Sequence, residues 1–109
     1  MSFKVKSTAV FEKQAKRLSK KFPSLKIELG ELIQKLKEKP ELGTPIGKNC
    51  YKIRISIASK RKGKSGGARV IINIVISRLS VYLLNIYDKS EKGSLTNKEL
   101  RELLNDLPE

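Results

Sequence analysis

Residues 50–69, CYKIRISIASKRKGKSGGAR, largely decide how the rest of this sequence can be arranged. In the first half, apolar side chains alternate with polar or cationic ones, the period of two that is typical of a half-buried strand. The apolar positions are Tyr51, Ile53, Ile55 and Ile57, and the positions between them are Lys52, Arg54 and Ser56. We therefore expect a strand with one face in a core and a cationic opposite face.

The second half of this stretch is a glycine-rich basic segment without an acidic residue. It predicts a flexible loop that binds phosphate groups, for which a plain linker or a basic targeting signal is the alternative. Two further cations flank the predicted strands on either side of the loop. The set that we assign to nucleic-acid binding on this basis is Lys48, Lys60, Arg61, Lys62, Lys64 and Arg78.

The charge balance points to an acidic partner. The 109 residues include 24 Lys and Arg against 11 Asp and Glu, a formal net charge of +13. No acidic residue occurs between Glu41 and Asp88, so the positive charge is concentrated in the predicted sheet region. Such an imbalance costs stability through self-repulsion unless a partner neutralises it. We expect nucleic acid first and an acidic protein second.

Composition also excludes several classes of site. Cys50 is the single cysteine and histidine is absent, which excludes an internal disulfide, histidine-dependent hydrolysis and the usual zinc sites. We expect no metal and no cofactor. The longest apolar run, residues 70–76, is far shorter than a membrane span, and the N-terminus lacks an apolar signal core. We predict one soluble cytoplasmic domain over residues 1–109.

The remaining elements follow from periodicity. Alternation at residues 3–5 predicts a short strand, and apolar steps of three and four over residues 8–21 and 24–39 predict two amphipathic helices. Ser7 or Thr8 would cap the first helix and Ser24 the second.

Residues 41–49 are expected to be irregular. Strands at 70–76 and 81–87 complete an antiparallel meander with the strand that begins at Cys50, and Thr96 with Glu99 predicts the capping box of a last helix. The result is an α+β domain of order β-α-α-β-β-β-α. Its two N-terminal helices cover one face of a small antiparallel sheet and leave the cationic face open.

Lysine and arginine on such a face can act on RNA, which carries its own nucleophile in the 2′-hydroxyl group. A protein then has to align this group, stabilise the charge that develops on the phosphate and move two protons. Lys52, crowded by Arg54 and Arg69, is our candidate base, and Arg69 is the candidate for charge neutralisation. The alternative is that these residues bind phosphate without chemistry, and the residues alone favour that interpretation.

Three strings resemble the RelE/HigB branch of toxins from prokaryotic toxin–antitoxin modules. They are CYKIR at 50–54, the basic loop through GKSGGAR at 63–69, and YLL at 82–84 followed by YDKSE at 87–91. The resemblance implies a metal-independent endoribonuclease that cuts messenger RNA in the ribosomal A site by 2′-hydroxyl attack. It also implies an antitoxin partner, in a heterotetramer or a higher complex, and contacts with ribosomal RNA.

By this resemblance, Lys52, Arg54 and Arg69 match the basic residues that surround the scissile phosphate. Some members carry an arginine where this chain has Ser90, so we assign the acid role to the neighbouring Lys89. Tyr87 is the candidate for stacking on a base, with strand-end packing as the alternative. Two other functions remain open: a gyrase-inhibiting toxin of the related ParE branch, and a non-catalytic RNA- or DNA-binding module.

Overall fold

The computed structural model describes residues 2–60 and 66–107, with Lys60 described as backbone only. The helices and strands that it contains run in the order β1 (Lys4–Ser7), α1 (Ala9–Lys21), α2 (Leu25–Glu38), β2 (Thr44–Gly47), β3 (Cys50–Ile55), β4 (Ala68–Val75), β5 (Ser80–Asp88) and α3 (Asn97–Asn105). The predicted α+β class and element order are confirmed. β2 is additional, because the segment 41–49 that we expected to be irregular contains a short strand.

The two N-terminal helices begin differently. The Thr8 hydroxyl accepts a hydrogen bond from the Phe11 amide at 3.2 Å, so α1 has the predicted cap. Ser24 occupies the cap position of α2 but caps no backbone amide. Its hydroxyl instead contacts the Ser59 hydroxyl at 2.8 Å and accepts a hydrogen bond from the Ser59 amide at 2.9 Å. Ser24 therefore ties the start of α2 to the turn that follows β3.

Among the described residues, the strands form one sheet in the order β1-β5-β4-β3-β2. The pairs β2–β3, β3–β4 and β4–β5 are antiparallel, as the meander predicts, whereas β1 pairs with β5 in parallel. The sheet is therefore mixed rather than wholly antiparallel. A parallel partner needs a crossover, and the α1–α2 hairpin is part of the long connection that leads from β1 back to the sheet.

Strand β5 carries one extra residue against β4. Ile71 pairs with Asn85 and Ile72 pairs with Leu83, so Leu84 has no partner on β4. A bulge of this kind changes which side chains of a strand share a face. Leu83 and Ile86, three positions apart, consequently both lie in the core under α1 and α2.

Both faces of the sheet carry a hydrophobic core. The larger core lies under α1 and α2 and includes Phe11, Leu18, Leu25, Leu36, Ile53, Val70 and Ile72. The smaller core lies on the opposite face and includes Cys50, Ile71, Tyr82, Leu84, Tyr87 and, from α3, Leu100. The expectation of an uncovered cationic face was therefore wrong in part, because α3 packs on that face. The Leu-rich stripe of α3 needs an apolar surface, and the second face supplies it.

Candidate functional site

Three of the predicted site residues form a row across neighbouring strands. Arg54 of β3 pairs with Arg69 of β4, and Arg69 pairs with Tyr87 of β5. Side chains that are directly opposite in antiparallel strands share a face, with Cβ atoms roughly 4.5–5.5 Å apart. We call Arg54, Arg69 and Tyr87 the cross-strand row. Tyr87 belongs to the second core, so the row lies on the face that carries α3.

Lys52 lies beside this row. It is two residues before Arg54 on β3, so the two side chains share a face and are about 7 Å apart along the strand. Lys52 is partly exposed, and it lines a cavity of about 160 Å³ together with Ile71 and the α3 residues Asn97 and Leu100. The structure thus brings Lys52 next to the row and next to the start of α3.

The two arginines of the row differ in exposure. Arg54 is exposed, whereas only 4% of Arg69 is accessible to solvent. One guanidinium nitrogen of Arg69, Nη1, donates a hydrogen bond to the carbonyl of Ala68 at 3.1 Å. A buried guanidinium keeps a fixed orientation and works at a lower effective dielectric constant than an exposed one. Arg69 is therefore the more rigidly oriented of the two, and a phosphate group can contact it only if the residues that cover it move apart.

Tyr87 is packed rather than exposed for stacking. Its side chain is 5% accessible, and its hydroxyl group is buried without a hydrogen-bond partner in the described parts of the chain. Burial raises the pKa of Tyr87, and the nearby charges of Arg69 and Lys92 oppose that rise in part. The alternative interpretation of Tyr87, strand-end packing, agrees with this burial. A base can reach the ring only if its surroundings open.

Sequence reasoning missed Asn85. Only 8% of its surface is accessible, and its carbonyl oxygen Oδ1 has no hydrogen-bond partner among the residues that the structure describes. Asn85 pairs with Ile71, which in turn pairs with Lys52, so it belongs to the strand layer next to the cross-strand row. One signal was available: Asn85 is the only polar residue between two tyrosines in the run YLLNIY at 82–87.

A capped helix start borders the same region. The Glu99 carboxylate accepts from the Thr96 amide at 2.9 Å and from the Lys92 ammonium at 2.8 Å, while the Thr96 hydroxyl accepts from the Glu99 amide at 3.1 Å. The predicted capping box is therefore confirmed. These bonds, led by that from Lys92, lower the pKa of Glu99 to about 2. Lys92, which sequence reasoning missed, joins the segment after β5 to α3.

Lys89 leaves the sheet just beyond the row. Its amide donates to the carbonyl of Gly67 at 3.0 Å, which extends the β4–β5 pairing by one step. Its ammonium group is exposed and donates to the carbonyl of Gly93 at 2.6 Å. An acid role for Lys89 therefore requires the side chain to exchange this carbonyl for the leaving oxygen of the RNA.

Two cations of α1 hold the chain where β5 ends. Arg17 contacts the Glu91 carboxylate at 2.9 Å, and Lys21 lies 3.6 Å from Glu91 and 4.0 Å from the buried Asp88. The hydrogen bond from Arg17 lowers the pKa of Glu91. Arg17 and Lys21 thus contact the segment after β5 that carries Lys89.

The remaining predicted nucleic-acid contacts fall elsewhere. Lys48 and Arg78 are exposed in the turns that precede β3 and β5, at the end of the sheet opposite the cross-strand row. The seven residues from Arg69 to Val75 alone span about 20 Å, so these two cations cannot share a phosphate with the row. The backbone of Lys60 lies in a 3₁₀ turn, whereas Arg61, Lys62 and Lys64 lie outside the described residues.

Over residues 2–60 and 66–107, no group of three or more Cys, Asp or Glu side chains is placed to hold a metal ion. No helix in the described part of the chain has the length and apolar character to cross a membrane.

Solved structures share this arrangement of helices and strands, although no protein-family model matches the sequence. A double mutant of the E. coli toxin RelE in the free state superposes with a TM-score of 0.66 at 15% identity, over 99% of this chain and 100% of that one. The chain has the fold of the RelE toxins.

Two further structures agree. A chain of the M. tuberculosis toxin–antitoxin complex RelBE2 matches with a TM-score of 0.60 at 15% identity, over 81% of this chain and 92% of that one. The isolated E. coli RelE toxin matches with a TM-score of 0.52 at 16% identity, over 98% of this chain and 100% of that one. At these identities the likeness establishes the RelE fold and leaves function to the side chains of the site.

Proposed function

We propose that this protein is the toxin of a toxin–antitoxin pair and acts as a ribosome-dependent endoribonuclease on messenger RNA. The observation that carries the proposal is the cross-strand row with Lys52 beside it, on a RelE fold. Two arginines and a lysine on adjacent strands can surround one phosphate group, and Arg69 supplies a buried, oriented guanidinium.

The reaction needs only groups that the chain and the RNA provide. Lys52, in its neutral form, takes the proton of the 2′-hydroxyl, whose oxygen attacks the adjacent phosphorus. Arg69 and Arg54 stabilise the negative charge on the phosphate oxygens. The bond from phosphorus to the 5′-oxygen breaks, and Lys89 gives that oxygen a proton. The products are a 2′,3′-cyclic phosphate and a 5′-hydroxyl end.

The partner in this proposal is an antitoxin, by analogy with the RelBE2 toxin–antitoxin complex of M. tuberculosis. A net charge of +13 gives an acidic antitoxin and ribosomal RNA the same electrostatic advantage. The exposed cations away from the row, Lys48 and Arg78, together with the basic residues at 60–64, are assigned to ribosomal RNA contact. The binding free energy that such phosphate contacts supply falls steeply as the salt concentration rises.

The test is to map new 5′ ends on a message translated by purified ribosomes and on the same message without ribosomes. Arg69→Ala and Lys52→Ala should each lower the rate of cleavage by about 10²–10³-fold, the usual cost of losing one oriented transition-state contact. Exposed Lys39, at the end of α2, supplies the control Lys39→Ala, which should cleave like the parent.

Arg69→Lys keeps the positive charge but lacks the planar guanidinium group. Lost cleavage in a folded Arg69→Lys variant would therefore reflect the missing guanidinium rather than unfolding. Thermal melts of all variants show which of them remain folded. Cleavage of translated message that survives in both folded alanine variants would refute the assignment of the row. Growth arrest with intact messages and broken DNA would instead favour the gyrase-inhibiting function.

A further inference from the structure

A groove between α1 and α2 opens on the face of the protein away from the cross-strand row. It has a volume of about 910 Å³. Its floor is apolar and is formed by Phe11, Ala15, Leu29, Ile33 and Leu83. Phe11, Leu29 and Leu83 belong to the core under α1 and α2, whereas Ala15 and Ile33 are only partly buried. The groove thus presents apolar side chains to solvent between two helices.

Lysines surround this apolar floor. Lys13, Lys16 and Lys20 lie along α1 and Lys26 lies on α2, and all four line the groove. Glu12, the acid in the lining, accepts a hydrogen bond from the Ser7 hydroxyl at the end of the groove. An apolar strip with a cationic rim is complementary to a helix that carries apolar residues on one side and carboxylates next to them.

Gly30 is the second observation that points to an occupant. It lies within α2, where glycine is less favourable than alanine, and it lines the groove. A Cβ atom at this position would meet no atom of the described residues within 4 Å, so packing within that part of the chain does not require glycine. Ile27 lies three residues earlier, which makes it a neighbour on the helix surface, and it is 69% exposed. The apolar surface therefore continues past a position without a side chain.

We propose that the α1–α2 groove binds an acidic amphipathic helix of a partner protein. The missing side chain at Gly30 lets the partner backbone approach closely, and the four lysines pair with its acidic residues. The segment from Phe11 to Lys20 measures about 14 Å along α1, which corresponds to two to three turns of the bound helix. The proposal goes beyond RNA cleavage, since none of the groove residues belongs to the cross-strand row.

An RNA strand is the alternative ligand for the groove lysines, and the apolar floor of the groove argues against RNA. Phosphate groups need cations and polar donors, whereas the exposed parts of Ala15 and Ile33 offer neither. Single-stranded RNA bound through its bases would use aromatic stacking, but the one aromatic side chain of the lining, Phe11, is 4% accessible.

The test measures binding of two fluorescent synthetic helices to the full chain by anisotropy. Both peptides carry the same leucine seam over about 16 residues, long enough for the two to three turns that the groove accommodates. One has glutamates beside the seam where the other has lysines. We expect the parent to bind the acidic peptide and not the basic one. Failure to bind the acidic peptide, or equal binding of both, would overturn the proposal.

Gly30→Leu fills the groove and should weaken binding of the acidic peptide about tenfold or more, because it takes the volume of one buried leucine of the partner. Gly30→Ala is the matched control and should stay within about threefold of the parent. Both substitutions raise helix propensity, which favours folding of the variants. Unchanged binding by folded Gly30→Leu would overturn the proposal.

Charge is tested separately from shape. The double variant Lys16→Glu/Lys20→Glu should lower affinity for the acidic peptide, whereas the same charge change outside the groove, Lys35→Glu/Lys39→Glu, should lower it less. Equal losses of affinity in the two double variants would contradict specific pairing between the groove lysines and the acidic residues of the peptide.

A labelled single-stranded RNA distinguishes this proposal from the proposed function. Gly30→Leu should bind the RNA within about twofold of the parent, since the groove lies on the other face of the sheet from the row. Loss of RNA binding in Gly30→Leu would assign the groove to RNA and overturn the proposal. If the parent cleaves no RNA but binds the acidic peptide in a way that Gly30→Leu weakens, the proposed function is wrong and the proposed helix-binding groove is supported.

Discussion

Replacing Leu100 with alanine should release α3 from the sheet while the rest of the protein stays folded. Leu100 is the buried residue of α3 and is 5% accessible, in contact with the second core. The change removes about three methylene-sized groups at about 0.8 kcal/mol each, and a residual cavity adds to this, so about 2.5–4 kcal/mol of docking free energy is lost.

The other contributions to α3 are too small to compensate. At nine residues, the helix is shorter than the roughly 12–15 residues at which isolated helices become even marginally stable. Its capping box contributes on the order of 1 kcal/mol. Since docking is what holds α3 in place, its loss should open α3 locally rather than unfold the protein globally.

Native-state hydrogen exchange measures this directly. Protection of the α3 amides should fall by about 10²-fold or more, because about 1.4 kcal/mol corresponds to a factor of ten, while amides of β4 and β5 keep their protection. A second readout is Tyr87, whose pKa is raised by burial. After α3 opens, its phenol should ionise at lower pH than in the parent, as followed by ultraviolet absorbance.

Arg101, exposed on the outer side of α3, provides the control Arg101→Ala, which should leave both readouts unchanged. Equal loss of protection in α3 and in β4 and β5 would refute local opening of α3, since it would show that α3 belongs to the global folding unit. Unchanged protection of α3 would refute it as well, since it would show that Leu100 does not hold the helix.

Two further predictions concern a backbone contact and a charge. Gly67→Ala should lower the free energy of unfolding in urea by more than about 2 kcal/mol, because its Cβ atom would lie 1.9 Å from the carbonyl oxygen of Ile55. At Gly93 a Cβ atom would meet no atom within 4 Å in the described part of the chain, so Gly93→Ala should be neutral or slightly stabilising. Equal effects of the two substitutions would contradict this. Lys92 and Thr96 lower the pKa of Glu99 from 4.5 to about 2. The ionised Glu99 carboxylate therefore contributes fully to the stability of α3 above its usual pKa, and this contribution is lost as the pH falls toward 2. The amide signals of α3 should therefore change over that window in acid titrations at low salt, and Glu99→Gln should abolish the change; a persistent change would assign it to another carboxylate.

Local physics made much of the fold predictable from the sequence. The apolar steps of α1 and α2, the alternation in β3, and the Thr96–Glu99 capping box each depend on residues a few positions apart. The positions of Lys52 and Arg54 on one face of β3 follow from the same alternation.

Long-range pairing made the rest unpredictable. No local pattern says that β1 will lie parallel to β5, or that Leu84 will be left without a partner on β4. The bulge decides that Tyr87 points toward α3, and the docking of α3 decides that its surroundings are buried. The burial of Arg69 follows from its place on a central strand, whereas Arg54 on the neighbouring strand stays exposed. Two arginines with similar sequence surroundings thus have different environments.

The separation of the two proposed surfaces has a consequence for inhibition. The α1–α2 groove and the cross-strand row lie on opposite faces of one sheet, so an acidic helix and an RNA phosphate share no contact residue. A partner bound only in the groove can exclude an RNA only through its bulk, which affects a ribosome far more than a short oligonucleotide. Direct competition for a short RNA therefore requires additional partner segments that reach the row. The size of the RNA at which a groove-bound partner begins to inhibit consequently measures how far that partner extends around the sheet.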